Sequence, residues 1–391
     1  MAVVEPAPAV VLRGEGEPHL HLPQRRARRT GLGRVLLRIA LVVVIAGCGL
    51  LTVLLVATDT GITGFGVGTL LALLPVVPVV AAILWLDRYE HEPPRQLVFA
   101  FAWGAFVATF VSLVLNTSSM ELIRAAGGNP DSAAVLVAPV VEETTKGLAV
   151  LLLFLFRRRE FDGVVDGIVY AALAGVGFAF VENVLYLGRS FSEDGGGVTA
   201  VTFVVRCLFS PFAHPLFTAA IGVGIGVAAS RRNPAVRVFA PILGWCVAVA
   251  LHALWNLTAS QGLQGFIGTY VALQVPIFAA AVAVAVVART REGRVLRRHL
   301  AGYAQAGWIT PAEAAMLASL SERSRARDWA GRALGPQAKG AMRDFQELAS
   351  EVAFLRDRME RGTAPAGAAD AELAGLQSMW RLRRAFVPTG A

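Results

Sequence analysis

Residues 133–156 read Ala-Ala-Val-Leu-Val-Ala-Pro-Val-Val-Glu-Glu-Thr-Thr-Lys-Gly-Leu-Ala-Val-Leu-Leu-Leu-Phe-Leu-Phe, an apolar run with Glu142, Glu143 and Lys146 at its centre. As a helix, a run of about 20 residues crosses roughly 30 Å of hydrocarbon. A charged side chain at mid-bilayer costs roughly 2.5–3.5 kcal/mol on insertion scales. Three of them in one span point to a buried polar site facing other helices, not to lipid.

Further runs of this kind lie near 35–57, 65–86, 97–116, 164–187, 199–229, 237–258 and 266–288. They are continuously apolar and do not alternate, which excludes a β-barrel. The fold class expected is all-α: a polytopic membrane bundle of about eight spans with a small helical cytoplasmic C-terminal region. The composition agrees, with 55% hydrophobic residues, 16% charged residues and mean hydropathy +0.58 over 391 residues.

The net charge of +8 follows from topology and needs no nucleic-acid partner. Arg25, Arg26, Arg28, Arg29, Arg34 and Arg38 precede or open the first run. Arg88 and Arg95, then Arg157, Arg158 and Arg159, then Arg231, Arg232 and Arg237, then the cluster Arg289 to Arg298 occupy alternate connections. The connections between hold only Arg124 and Arg189. The positive-inside rule then sets both termini in the cytoplasm of a multi-pass plasma-membrane protein. The first apolar run starts late, is long and lacks a small-x-small site, so no cleaved signal peptide is expected. Cys48, Cys207 and Cys246 stand singly inside apolar runs, as small hydrophobes and not as a disulfide or thiolate framework.

Three regions follow. Residues 1–34 form a basic tail, expected to be disordered and to contact anionic head groups; 35–288 form the transmembrane domain; 289–391 form a polar, helical cytoplasmic region. In the last, Thr310-Pro311-Ala312-Glu313 is a helix start with a capping Thr, Pro at the first position and Glu three beyond the cap. Leu317, Leu320, Leu334, Phe345, Leu348, Val352 and Leu355 keep helical periodicity, and Gly335-Pro336 and 362–369 interrupt it.

The polar residues of the spans repeat a four-residue spacing. Glu142 and Lys146 share a helix face and can pair, while Glu143 points about 100° away toward another neighbour. One ion pair needs one carboxylate; the second wants a proton, a metal or a partner on another helix. Phe178, Glu182 and Tyr186 form one stripe, with Asn183 beside it and Gly175 just before. His214 precedes Pro215, which frees a carbonyl one turn back, and Thr218 lies four residues on. His252 and Asn256 project from one face, with Trp255 at the interface, and Arg206 is a further candidate counter-ion. Structural readings compete at each position: a helix-locking ion pair, a hydrogen-bonded core histidine, glycines for close packing.

With alternating spans, Glu142 and His214 fall near mid-membrane and Glu182, His252 and Asn256 in the outer half, so one water-filled cavity can collect them. Such a cavity suits water activation by a Glu helped by a His, with a second His and Asn as oxyanion donors. Alternatively His and Glu bind Zn²⁺ with its water as nucleophile. No Ser/His/Asp or Cys/His arrangement and no phosphate-binding glycine loop is present.

In this order, Glu142-Glu143-x-x-Lys146, Phe178-x-x-x-Glu182-Asn183, His214 and His252-x-x-x-Asn256 resemble the PrsW family of intramembrane proteases, related to the CAAX-prenyl protease and Abi (CPBP) superfamily. The segment Asp87-Arg88-Tyr89-Glu90-His91-Glu92-Pro93 is similar to a family signature, and the resemblance spans roughly 75–290. It implies hydrolysis of a membrane-anchored protein, an anti-sigma factor or similar regulator, cut at an external site. By the same resemblance Glu142 or Glu143 is the base, Glu182 assists it or ligates a metal, His252 and Asn256 bind the oxyanion, and His214 supports activation or binds metal. Lys146, Phe178, Asn183 and Tyr186 support them. If a metal is used, the ligands implied are His214, His252 and Glu182. Glu182 stands where the prenyl proteases often carry His, which argues against a prenylated substrate. Family members are described both as metalloproteases and as glutamate-type proteases. The lack of a His pair at i, i+4 favours a metal-independent glutamate mechanism. A non-catalytic scaffold or chaperone of the same superfamily and a proton-coupled transporter are the alternatives; transport would favour inverted repeats, which the sequence lacks.

Overall fold

The computed structural model describes residues 32–157 and 161–387, and throughout them the chain is helical with no strand. Residues 1–31 of the expected basic tail, with Arg25, Arg26, Arg28 and Arg29, and likewise Arg158 and Arg159, lie outside the described residues.

The membrane unit comprises 38–87 and 92–289. Its helices are α1 (Leu32–Leu86), α2 (Pro94–Ala125), α3 (Ala138–Phe156), α4 (Val164–Arg189), α5 (Gly196–Phe203), α6 (Ala213–Ala229), α7 (Pro234–Ala259) and α8 (Val275–Gln305), the last running on beyond the unit. Among the described residues, six helices are long and apolar enough to cross a membrane. The expected eight spans divide differently here. Gly61, at φ 69° and ψ 162°, breaks α1 into two helical halves, a conformation glycine alone adopts freely. α3 carries three charged side chains and is not among the six.

Helix α4 is the most enclosed of the candidate spans and forms the axis of the core with Val169, Tyr170, Leu173 and Val176, against Val150, Ile221 and Ile225. Small residues allow this. A Cβ on Gly167 would fall 2.0 Å from the Gly222 carbonyl, and one on Gly222 would fall 2.1 Å from the Gly167 carbonyl. Backbones of α4 and α6 therefore touch, as small-residue interfaces permit in lipid. Gly104 and Gly177 play the same part between α2 and α4, with Cβ distances of 1.9 and 2.1 Å to the facing carbonyls. Cys48, Cys207 and Cys246 are free thiols.

The second unit gathers Arg88–His91 with the chain from Thr290 onward. Helices α9 (Pro311–Leu317), α10 (Leu320–Leu334), α11 (Pro336–Arg361) and α12 (Ala368–Arg383) follow α8. The Thr310 capping box forms as its spacing predicts: Thr310 Oγ1 accepts from Glu313 N–H at 3.1 Å and Glu313 Oε2 accepts from Thr310 N–H at 2.7 Å. Leu296, Leu300, Leu317, Phe345, Val352 and Met379 fill its core, whereas Leu334 is exposed. Gly335 at φ 94° separates α10 from α11.

Candidate active site

Helix α3 starts with Pro139 in its first turn, where the missing N–H costs nothing. One turn on, Glu142, Glu143 and Lys146 point into the bundle, each nearly or wholly buried. The sequence pairs Lys146 with Glu142 at i, i+4, but the ammonium goes to the other carboxylate. Lys146 Nζ donates to Glu143 Oε1 at 2.6 Å and stands 3.6 Å from Glu142 Oε2. Glu143 is saturated: Oε1 also accepts from His252 Nδ1 at 2.9 Å and Oε2 from the Thr218 hydroxyl at 2.9 Å. That fixes the His252 proton on Nδ1 and leaves the Nε2 lone pair free.

His214 is held in the mirror sense. Its Nε2 donates to Glu182 Oε2 at 2.8 Å, and its Nδ1 lies 3.2 Å from Lys146 Nζ. An ammonium has only protons to give, so Nδ1 is the acceptor. Each imidazole thus has one nitrogen tied to a carboxylate, while the other faces Glu142 in His252 and accepts from Lys146 in His214, with ring centroids 5.2 Å apart. Gly175 lets His214 approach α4: a Cβ there would sit 2.7 Å from the His214 carbonyl.

Glu182 also accepts from the guanidinium of Arg206, whose Nε donates to Asn183 Oδ1 at 2.7 Å. Arg206 had no partner assigned by sequence; a cation two helices away carries no spacing signal. The aromatic residues one turn either side of Glu182 cover the two cations. Lys146 Nζ lies 4.1 Å from the Phe178 ring centroid, and the Arg206 guanidinium 4.1 Å from that of Tyr186. These are cation–π contacts in a desolvated setting.

Glu142 differs from its neighbour. Oε1 accepts from Asn116 Nδ2 at 3.2 Å, but Oε2 is buried without a hydrogen-bond partner and faces His252 Nε2 at 3.7 Å. Asn116 was missed by sequence reading; its one signal is an amide closing an otherwise apolar run. Glu142, Glu182, His214, Arg206 and Asn256 border a cavity of about 360 Å³ whose wall also includes Met120, Arg189 and Ala259 near helix ends. Glu143, Lys146 and His252 lie behind that lining. Asn256 is on the wall but outside the hydrogen-bonded cluster, its Nδ2 donating to the Ala134 carbonyl at 2.7 Å.

Glu142, His214 and His252 each offer one ligand atom within 4.8 Å of the others. Two imidazoles and one carboxylate are a donor set known for catalytic zinc. Each imidazole is backed by a carboxylate, as metal-ligating histidines commonly are. The donors come from three different helices, so no pair at i, i+4 was visible in the sequence, and Glu142 takes the place expected of Glu182.

Residues 92–281 match the model of the PrsW family intramembrane metalloprotease. The chain is 28% identical to Protease PrsW of Clostridioides difficile over 189 residues, 48% of this chain and 77% of that protein. It is 33% identical to Protease PrsW of Geobacillus kaustophilus over 159 residues, 39% of this chain and 64% of that protein. With Protease PrsW of Bacillus subtilis it shares 28% identity over 185 residues, 46% of this chain and 78% of that protein. No solved structure matches. The matched residues contain every member of the buried cluster, and it is through them that the chain is similar to the PrsW family of intramembrane proteases.

Proposed function

We propose that this peptidase hydrolyses a peptide bond of a single-span, membrane-anchored protein near the external face, with water activated at Glu142 Oε2. The observation that carries this is the state of that atom: buried, free of hydrogen bonds and 3.7 Å from His252 Nε2, in a residue that shares a cavity wall with His214. An anti-sigma factor or similar regulator is the substrate class that the motif order implies. We place both termini in the cytoplasm of the plasma membrane, as the positive-inside distribution argues. On this reading eight spans lie within 35–288, counting both halves of α1 and the charged α3. The basic tail 1–34 and the region 289–391 flank them. Kinship with the CAAX-prenyl protease and Abi superfamily rests on the same motif order.

A divalent metal fits the donor set. Three carboxyl groups, Glu142, Glu143 and Glu182, face two cations, Lys146 and Arg206, so the third needs a proton or a further cation. Glu142, His214 and His252 would hold Zn²⁺ once Lys146 gives up the His214 Nδ1 lone pair, and the ion would lower the pKa of its water and polarise the scissile carbonyl. Glu143 keeps the His252 proton on Nδ1, and Glu182 keeps that of His214 on Nε2. Arg206 and Lys146 balance those two carboxylates. Asn256, from the cavity wall, can turn its amide from Ala134 to the oxyanion.

A second, metal-independent reading is favoured by Lys146, whose ammonium already stands between His214 and Glu143. There Glu142 itself takes the proton of the attacking water. The full chain in phosphatidylethanolamine/phosphatidylglycerol vesicles with a panel of single-span polypeptides tests both. Glu142→Gln should lower cleavage by about 10²-fold or more, with losses also in Glu143→Gln and His252→Ala. Undiminished cleavage by all three sinks the site. Chelator inhibition reversed by Zn²⁺ selects the metal reading, and insensitivity to chelator selects the other.

A further inference from the structure

A second cavity, of about 280 Å³, lies beside the first and is bordered by Phe209, Phe212, Trp255, Tyr270, Phe278 and Gln274. All of these are aromatic except Gln274. That residue is 7% exposed, and its Nε2 has no hydrogen-bond partner. Two π-helical segments, Val204–Phe209 and Tyr270–Gln274, contribute to the wall, and the Tyr270 hydroxyl ties them by donating to the Phe209 carbonyl at 2.6 Å. π-Helical turns are rare and concentrate at functional sites.

The cavity is continuous with the catalytic region through two side chains. Trp255 borders both cavities. Phe217, on the wall of the second, stacks on the His252 ring with centroids 5.2 Å apart. An occupant is therefore one residue's width from the imidazole that faces Glu142.

The unpartnered amide says what kind of occupant. It needs an acceptor, and acyl chains at this depth have none. A protein span that unwinds for cleavage has many, because each freed backbone carbonyl must find a donor inside the bilayer. We propose that the second cavity is a specificity subsite, which takes an aromatic or large aliphatic side chain of the substrate's membrane span next to the scissile bond. Gln274 Nε2 donates to a backbone carbonyl of that same segment. The assignment rests on the reading of the Glu142 centre as the place of hydrolysis.

The test uses the full chain in the same vesicles, with single-span polypeptides carrying a diazirine amino acid scanned through the span. Expected is labelling of 209–217 and 270–278 from one or two adjacent scan positions. Labelling should fall roughly tenfold in Gln274→Leu, the worth of one hydrogen bond, and also in the cavity-filling Ile277→Trp. Gln274→Leu removes a buried unpaired amide, so loss of folding is not its expected effect. Labelling spread evenly along the span, labelling indifferent to both variants, or labelling by a diazirine phospholipid in place of the polypeptide would each overturn the subsite. Glu142→Gln separates the two ideas: it should lower cleavage by about 10²-fold or more and leave labelling intact. Cleavage undiminished in Glu142→Gln fails the centre, whereas labelling that ignores Gln274→Leu fails the subsite alone.

Discussion

Nδ1 of His214 lies 3.2 Å from the ammonium of Lys146. The contact decides the tautomer, because the imidazole must accept there and donate to Glu182 from its other nitrogen. It also makes Lys146 the hinge of the cluster's charge balance.

Lys146→Met should therefore destabilise the protein by about 3–5 kcal/mol, the usual cost of stripping one partner from a buried pair. Thermal unfolding in detergent measures it. The double variant Lys146→Met/Glu143→Gln should recover part of the loss, since Glu143 no longer stands bare while Glu142 still lacks the ammonium. A double variant no more stable than Lys146→Met would rule out the charge explanation.

Arg206 is partly open to the cavity, so its removal should cost less, about 1–3 kcal/mol. Arg206→Leu leaves Glu182 with His214 alone and strips Asn183 of its donor. Activity should then fall, while Arg206→Lys restores only part, lacking the second donor for Asn183. Unchanged activity in Arg206→Leu would count against this coupling.

Gly175→Ala should cost some stability and also push His214 off its place, because a Cβ there meets the His214 carbonyl. Misplacement by about 1 Å can cost on the order of 10²-fold in rate. Gly167→Val should instead lower stability by about 1–3 kcal/mol or more by overpacking the α4–α6 contact. Comparing melting temperature with cleavage rate separates the two effects.

Outside the spans, Asp87 is a buried carboxyl whose Oδ2 accepts from Glu92 N–H at 2.9 Å. Burial, helped by the charge of Asp166, pushes its pKa up to about 7 in spite of that hydrogen bond. A raised acid pKa means the folded state holds its proton longer than the unfolded one. The protein should thus lose stability as pH rises from about 4 to about 7. Asp87→Asn keeps an acceptor for Glu92 and should be more stable than wild type above pH 7, with the gap closing toward pH 4. Parallel melting curves across that range would refute it.

Much of the fold could be read in the runs themselves. Apolar length announced the spans, and Thr310 with Glu313 announced a helix start in the C-terminal region. The division of α1 was less legible, because Gly61 lies among several glycines and nothing local marks it as the one that turns. The site was legible as a set of residues but not as a wiring. Spacing joined Glu142 to Lys146, whereas the fold gives that ammonium to Glu143, since His252 and Thr218 arrive from other helices to complete the same carboxylate. Asn116 and Gln274 lay beyond reach, and Arg206 was legible as a counter-ion but not with its partner, for one reason: their partners, or the lack of them, depend on helices distant in sequence.

Val56 belongs to α1, outside the residues that match the family, yet it forms part of the wall of the larger cavity. The helices that hold the reacting groups and the helix that supplies this part of the wall are thus drawn from different parts of the chain. Substitutions at Val56 can reshape the cavity without touching a single polar contact of the cluster. Selectivity among client proteins can drift in this molecule while its hydrolytic machinery stays as it is.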